Sequence, residues 1–255
     1  MALLDTSRRD VKWTRQVLTL FLVQLSNWRW SWPQMLLTGM LAPLLTVLTL
    51  GFFARTSGDA ALTYALSGSI VMALLFETQS KIASNFAFMR ETGALEFFAS
   101  MPLRRESLML ASLAAFTLLA LPSVFVTTLL GAWLLNVTLS PPWFAVVLLP
   151  LLVLPSAGIG AFIGNRSRSL EQASSTSLAV TLSLLALGPV AVPAHLLPEP
   201  LVWAGYLNPA FYAASLVRGS LLGGDLATVG RDVLALMAIA LLAWALARRA
   251  MQWRT

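Results

Sequence analysis

Few side chains in this sequence have the types and spacing that chemistry requires. Phosphate transfer needs a glycine-rich loop whose backbone N–H groups cradle phosphates, followed at once by a lysine and a hydroxyl. The two lysines, Lys12 and Lys81, are not preceded by glycines, so this chain has no such site. The single histidine, His195, stands in a proline-rich turn without the second group that a metal or an activated nucleophile demands. There is no cysteine, which excludes disulfides and thiolate chemistry. Glu77 is the one acid close to the interior of an apolar run; an acid there suggests function, but Lys81 follows one helical turn later and can neutralise it. No catalytic residue and no metal site is assigned.

What remains is a charged interval, Arg90 to Arg105, between two apolar runs. Glu91 and Glu96 bracket Gly93, a natural hinge. Glu96-Phe97-Phe98 is too apolar for a merely solvated linker, so a surface other than water is expected to cover it.

The elements that must position this interval follow from composition. The chain has 255 residues, of which 58% are apolar and 11% charged, and its mean hydropathy is +0.77. Such a chain is an integral membrane protein. The apolar runs are continuous and broken by Gly and Pro rather than alternating at period two, so they read as helices and not barrel strands. The expected fold is all-α, a single transmembrane domain over 1–255 with six spanning helices.

Residues 1–32 are expected to form a helix lying on the membrane surface. Val11, Leu18, Leu22 and Leu25 make its apolar face, Arg8, Lys12, Arg15 and Thr19 its wetter face, and Trp13, Trp28, Trp30 and Trp32 suit the interface. The basic cluster from Arg8 to Arg15 also interrupts what would be the apolar core of a secretory signal. Ser31 is the expected cap of the first span, 33–54, which Pro43 should kink. Further spans are expected over 60–80, 107–135, 143–164, 172–193 and 229–247. The interval 81–106 is then a loop. Ser156, Gly160 and Gly164 recur every four residues, a stripe against which another helix can pack closely.

Residues 194–228 cannot be one helix, because Pro198, Pro200 and Pro209 interrupt them, yet they are too apolar for an exposed loop. Asn208 before Pro209 is a helix start and Gly223-Gly224 a helix stop. Two short half-helices, re-entrant at the outer face, are expected. Asn208, Pro209, Phe211, Tyr212 and Arg218 form a candidate outer gate, with Arg218 at the rim, reaching headgroups or an acid such as Glu199 or Asp225.

The charges check this layout. With both termini inside, the cytoplasmic segments carry 14 of the 17 Lys and Arg residues, and Arg55, Arg218 and Arg231 alone fall outside. That asymmetry is the positive-inside pattern of a plasma (inner) membrane protein. The net charge of +6 therefore reports topology and anionic lipid headgroups; it gives no reason to expect nucleic acid as a partner.

The order Glu91-Thr92-Gly93-Ala94-Leu95-Glu96, then Met101-Pro102-Leu103-Arg104, resembles the cytosolic signature of ABC type-2 transporter permeases, with Ala94 where Thr is frequent in that family. The Pro-rich turn, the Trp203 helix, Asn208-Pro209, an aromatic pair and Arg218-Gly219 resemble the segment before the last span in the drug-exporting branch. This resemblance, over about residues 10–250, implies that Arg90, Glu91, Thr92, Gly93, Ala94, Leu95, Glu96, Pro102 and Leu103 couple the chain to a separate ATP-binding subunit. It implies two copies of that subunit, which bind ATP and Mg, and a second permease chain, identical or homologous. Cofactors of this chain itself are none. The substrate expected is hydrophobic or amphipathic and moves outward; a lipid or lipid-linked glycan is the alternative within the family. An ion-coupled secondary transporter would show two repeats with broken spans, and spans one to three show no likeness to four to six. An intramembrane enzyme would need paired acids, His or Ser-Lys geometry within the spans, and these are missing.

Overall fold

The computed structural model describes residues 13–27, 32–55, 58–139, 143–222 and 228–251. Within these the chain is helical and has no strand. The helices are α1 (Trp13–Asn27), α2 (Trp32–Ala54), α3 (Asp59–Leu74), α4 (Lys81–Glu91), α5 (Ala94–Ser100), α6 (Arg105–Leu135), α7 (Trp143–Arg166), α8 (Leu170–Ala186), α9 (Glu199–Gly205), α10 (Pro209–Leu221) and α11 (Val229–Ala250). Arg8, Lys12, Trp28, Trp30, the Ser31 cap, Asp225 and the Gly223-Gly224 stop lie outside the described residues.

Two of the long helices, α2 and α6, run through an internal proline. α2 keeps Pro43 and α6 keeps Pro122 inside a continuous helix. In water each proline would be severely disruptive, but neighbouring helices hold the flanking turns. Three described stretches are long and apolar enough to cross a membrane: Asp59–Glu91, Arg105–Leu135 and Val229–Ala250. Their outward sides are apolar too. Leu37, Leu41, Leu45, Leu48 and Phe52 form an exposed row down α2, and Leu118, Phe125, Leu129 and Trp133 do so on α6. In water such rows would be a liability, whereas facing lipid they cost nothing.

The second long element differs from expectation. α3 does not stop near residue 80; a π-helical turn, Leu75–Ser80, joins it to α4, and the helix continues to Glu91. The 81–106 interval is therefore helix for its first eleven residues, and the connection proper is Thr92 to Arg104. The charges of Lys81, Arg90 and Glu91 lower hydropathy without lowering helix propensity. Lys81 thus belongs to the bundle and not to a loop. The fifth long element is shorter than expected: α8 ends at Ala186, and residues 187–193 fold back irregularly. Gly188, at φ 106, lies so close to α9 that a Cβ there would sit 2.5 Å from Gly205 Cα.

Cross-links show how the helix ends are sorted. Glu106 pairs with Arg248 at 3.0 Å, joining the start of α6 to the end of α11. Arg90 Nη1 donates to Asn165 O at 2.7 Å, joining the end of α4 to the end of α7. Arg55 Nη2 donates to Leu134 O at 2.9 Å at the other pole. The long helices among the described residues therefore run alternately between two ends. One end gathers Arg90, Arg104, Arg105, Arg166, Arg168, Arg248 and Arg249; among the described arginines only Arg55, Arg218 and Arg231 stand at the opposite one.

Small residues set the closest approach. A Cβ on Gly164 would meet the backbone carbonyl of Ala83 and lie 2.9 Å from Phe86 Cβ, and one on Gly160 would strike the carbonyl of Gln79. The expected small-residue stripe of α7 is thus the seat of the π turn and α4.

Candidate functional sites at the two ends of the bundle

Local rules build the segment at the basic end. Thr92 Oγ1 donates back to Phe88 O at 2.8 Å, and Gly93 turns left-handed at φ 73, where a side chain would be strained. α5 then begins. Leu95 is buried, Ala94, Phe98 and Leu103 are half-buried, and Glu96, Phe97, Ser100 and Pro102 are exposed. Phe97 is 61% exposed, on a helix whose opposite side packs into the protein. The expected site residues therefore divide by direction.

Arg90 and Glu91, although exposed, bond back to the protein itself. Arg90 donates to the carbonyls of Asn165 and Ser167, at the C-terminal end of α7. Glu91 Oε2 accepts from Leu170 N at 3.0 Å, at the first residue of α8. A cation thus meets the carbonyl end of one helix and an anion the N–H end of the next. Together they clamp the α7–α8 turn, whose own cap is Ser169, accepting from Gln172 N.

α1 is attached to the same segment, by residues that sequence reasoning passed over. Gln16, Leu20 and Gln24, four residues apart, form its buried face, while Leu18 and Leu22 point outward. Gln16 Nε2 donates to Pro102 O at 3.4 Å, and its Oε1 accepts from Ser107 Oγ at 3.2 Å and Arg104 N at 3.4 Å. Gln24 Nε2 donates to Ser112 Oγ at 3.0 Å. α1 is therefore amphipathic as expected, but Leu18 and Leu22 face away from the protein, while Gln16 and Gln24 hold it to α6 on either side of the buried Leu20. The spacing of 16, 20 and 24 was the available signal.

Midway along the bundle, Glu77 is 1% exposed and forms an ion pair with Lys81. Gly39 on α2 makes room for it: a Cβ there would overlap the carboxylate. Gln79 in the same π turn donates to Thr181 Oγ1 at 3.1 Å and to Ser177 O at 3.3 Å on α8. π turns recur where a helix must re-aim side chains.

At the opposite end, Asn208 caps α10 as its position before Pro209 predicts. Its Oδ1 accepts from Ala210 N at 2.9 Å, while Nδ2 donates to Leu184 O at 2.5 Å and also to Leu187 O. One buried amide thus starts α10 and closes α8. Pro209 fills the first helical position, Phe211 is half-buried, and Tyr212 OH donates to Tyr206 O at 2.8 Å. Arg218 turns inward instead of snorkelling at the rim. It donates to Ser67 Oγ at 2.8 Å, Val190 O at 3.1 Å and Pro189 O at 3.4 Å, and its guanidinium lies 3.9 Å from the centre of the Tyr64 ring. Three acceptors and a π face are within reach there, and Asp232 lies within its electrostatic range. The cavity beside it, about 410 Å3, is lined by Tyr64, Tyr206, Phe211, Arg218 and Arg231 among others.

No described group of His, Cys, Asp and Glu has the geometry to hold a metal ion. An all-helical bundle with lipid-compatible outer faces and sorted charges defines a polytopic membrane protein. The profile of the ABC-2 type transporter family matches residues 15–222, and the chain belongs to that family. It is a membrane permease of an ABC transporter, the kind of subunit that works with a separate ATP-binding partner. A search among curated proteins finds no match.

Proposed function

We propose that this chain is the membrane-spanning half of an exporter that moves a hydrophobic or amphipathic molecule outward across the plasma (inner) membrane. Two copies of an ATP-binding subunit, holding ATP and its Mg, dock at the basic end, and a second permease chain completes the pathway. Six helices cross the bilayer, with the basic end and both termini in the cytoplasm, as the sorting of arginines favours.

The observation that carries this reading is the outward side of α5. Glu96 and Phe97 are exposed on a short helix whose other side is built into the bundle. A partner that covers Phe97 removes apolar area from water and gives Glu96 a charge-assisted contact. Movement of α5 reaches α1 through Gln16, which bonds Pro102 O and Ser107 Oγ, and α8 through Glu91. Docked ATPase closure can therefore rock both helices. A second permease copy is supported by α8, which exposes Gln172, Ser174, Ser175, Thr176 and Ser183, polar groups ill suited to lipid.

The drug-export branch is favoured by the Asn208–Arg218 segment, where α10, capped by Asn208 and tied inward by Arg218, closes the far end of the bundle as an outer gate. The test is purification in mild detergent from its native membrane: an ATP-hydrolysing subunit should accompany the chain and be lost on Glu96→Arg with Phe97→Asp. Recovery of the chain without any ATPase would overturn the proposal.

A further inference from the structure

Beneath α5, at the basic end, lies a cavity of about 660 Å3 lined by Gln24 and Asn27 of α1, Ser84, Asn85, Phe88 and Met89 of α4, Ala94 and Phe98 of α5, and Leu170 and Ser174 of α8. Its size is that of a site for a drug-sized molecule. Two of its walls carry polar atoms that are buried and have no hydrogen-bond partner, Gln24 Oε1 and Asn85 Nδ2. Gln24 is 2% exposed and Asn85 8%. Buried amide atoms left without a partner are costly, and native proteins keep them where something else supplies the bond. Among the described residues that line the cavity none is charged.

We infer that this cavity binds a neutral amphiphile that carries both a carbonyl and an N–H or O–H group, such as a fatty amide or hydroxy ester. The two side-chain amides turn into the cavity to meet it, Asn85 Nδ2 donating to the carbonyl and Gln24 Oε1 accepting from the ligand's own donor. Phe88, Phe98, Met89 and Leu170 surround the apolar tail. A charged molecule would lose its hydration and find no counter-ion among the described lining residues. The inference deepens the proposed function by naming a substrate class, yet binding is measured on the permease alone, so its failure leaves the ATP-coupled reading intact. The position also gives the ligand a mechanical effect. Phe98 lines the cavity while its neighbour Phe97 faces outward from the same helix, the ring centres 6.1 Å apart.

The full chain in phosphatidylcholine nanodiscs would be photolabelled with N-decylacetamide bearing a diazirine on its tail, and labelled peptides mapped by mass spectrometry. Saturable labelling is expected on residues 84–98 and 170–174. Gln24→Leu with Asn85→Leu should raise the half-saturating concentration by about tenfold or more, two net hydrogen bonds being lost. Asn85→Leu alone, which removes an orphaned donor and leaves the Gln24–Ser112 bond intact, should unfold at an unchanged or higher temperature. Ser174→Phe, which fills the cavity, should abolish saturable labelling. Displacement by unlabelled N-decylacetamide but not by decyltrimethylammonium or decanoate supports the site. Displacement by diacylglycerol added to the nanodisc supports it with a bilayer lipid as occupant, and insensitivity to diacylglycerol supports it with a soluble amphiphile. Undiminished labelling in the double variant and in Ser174→Phe, or equal displacement by the charged competitors, would overturn it.

Discussion

The carboxylate of Glu91 accepts the backbone N–H of Leu170 at 3.0 Å, so an acid at the end of α4 caps the beginning of α8, 79 residues away. Glu96, five residues later in the same signature, points outward. The two acids that the sequence pairs are thus separated by the fold into an internal clamp and an external contact.

That division predicts different consequences for the two alanine variants. Glu91→Ala should lower stability by about 1 kcal/mol, as loss of a helix-end acceptor does. Glu96→Ala should leave stability unchanged and reduce association with the ATP-binding subunit. Thermal unfolding in one detergent, followed by ATPase recovery, separates them. Equal destabilisation by both would remove the distinction.

The Glu77–Lys81 pair should behave as a unit. Lys81→Met leaves a buried acid without its cation, at a cost of about 3 kcal/mol or more. Glu77→Gln combined with Lys81→Met should recover most of that loss. A double-mutant cycle on thermal stability measures the coupling, and simple additivity would show that the pair is not an internal compensation. Gly39→Ala should mimic the loss by displacing the Glu77 carboxylate.

Helix approach gives a steric prediction. Gly164→Ala places a methyl against the Ala83 carbonyl and Phe86 Cβ, which should cost about 1–3 kcal/mol. Gly230, around which a Cβ would meet nothing, is the matched control: Gly230→Ala should be neutral or stabilising by up to about 1 kcal/mol.

How much of this was legible in the sequence depends on the kind of signal. α2 and α6 could be read closely because continuous apolar runs between charges have one solution in lipid, and Asn208-Pro209 because capping is local. Residues 81–91 were misplaced because hydropathy registers Lys81 and Glu91 as a boundary, while the backbone continues until Gly93 breaks it. The π turn at 75–80 has no compositional signature. Gln16 and Gln24 carry only the signal of their spacing, and their partners are not legible. A glutamine on an amphipathic helix looks water-facing until Ser112, Ser107 Oγ and the Pro102 carbonyl, almost ninety residues on, are seen to meet it. The inward turn of Arg218 likewise depends on Ser67 and the 187–193 fold-back, which only the tertiary structure brings together.

Orientation in the membrane can be read with single cysteines, since the native chain has none. Ser100→Cys and Arg168→Cys, both at exposed positions of the basic end, should react with an impermeant thiol reagent only after permeabilisation. Asp59→Cys and Leu196→Cys, exposed at the other end, should react in intact cells. The reverse pattern would invert the topology.

Site-directed crosslinking from α5 tests the central claim most directly. A photoreactive residue at Phe97 in the complex purified from its native membrane should join the chain to the ATP-binding subunit, and ATP with vanadate should change the yield as that subunit closes. The same residue at Phe52, on the apolar row of α2, should give no such product. Crosslinking to the ATPase from Phe52 but not from Phe97, or none from Phe97 while the complex remains intact, would contradict the assignment of α5 as the docking element.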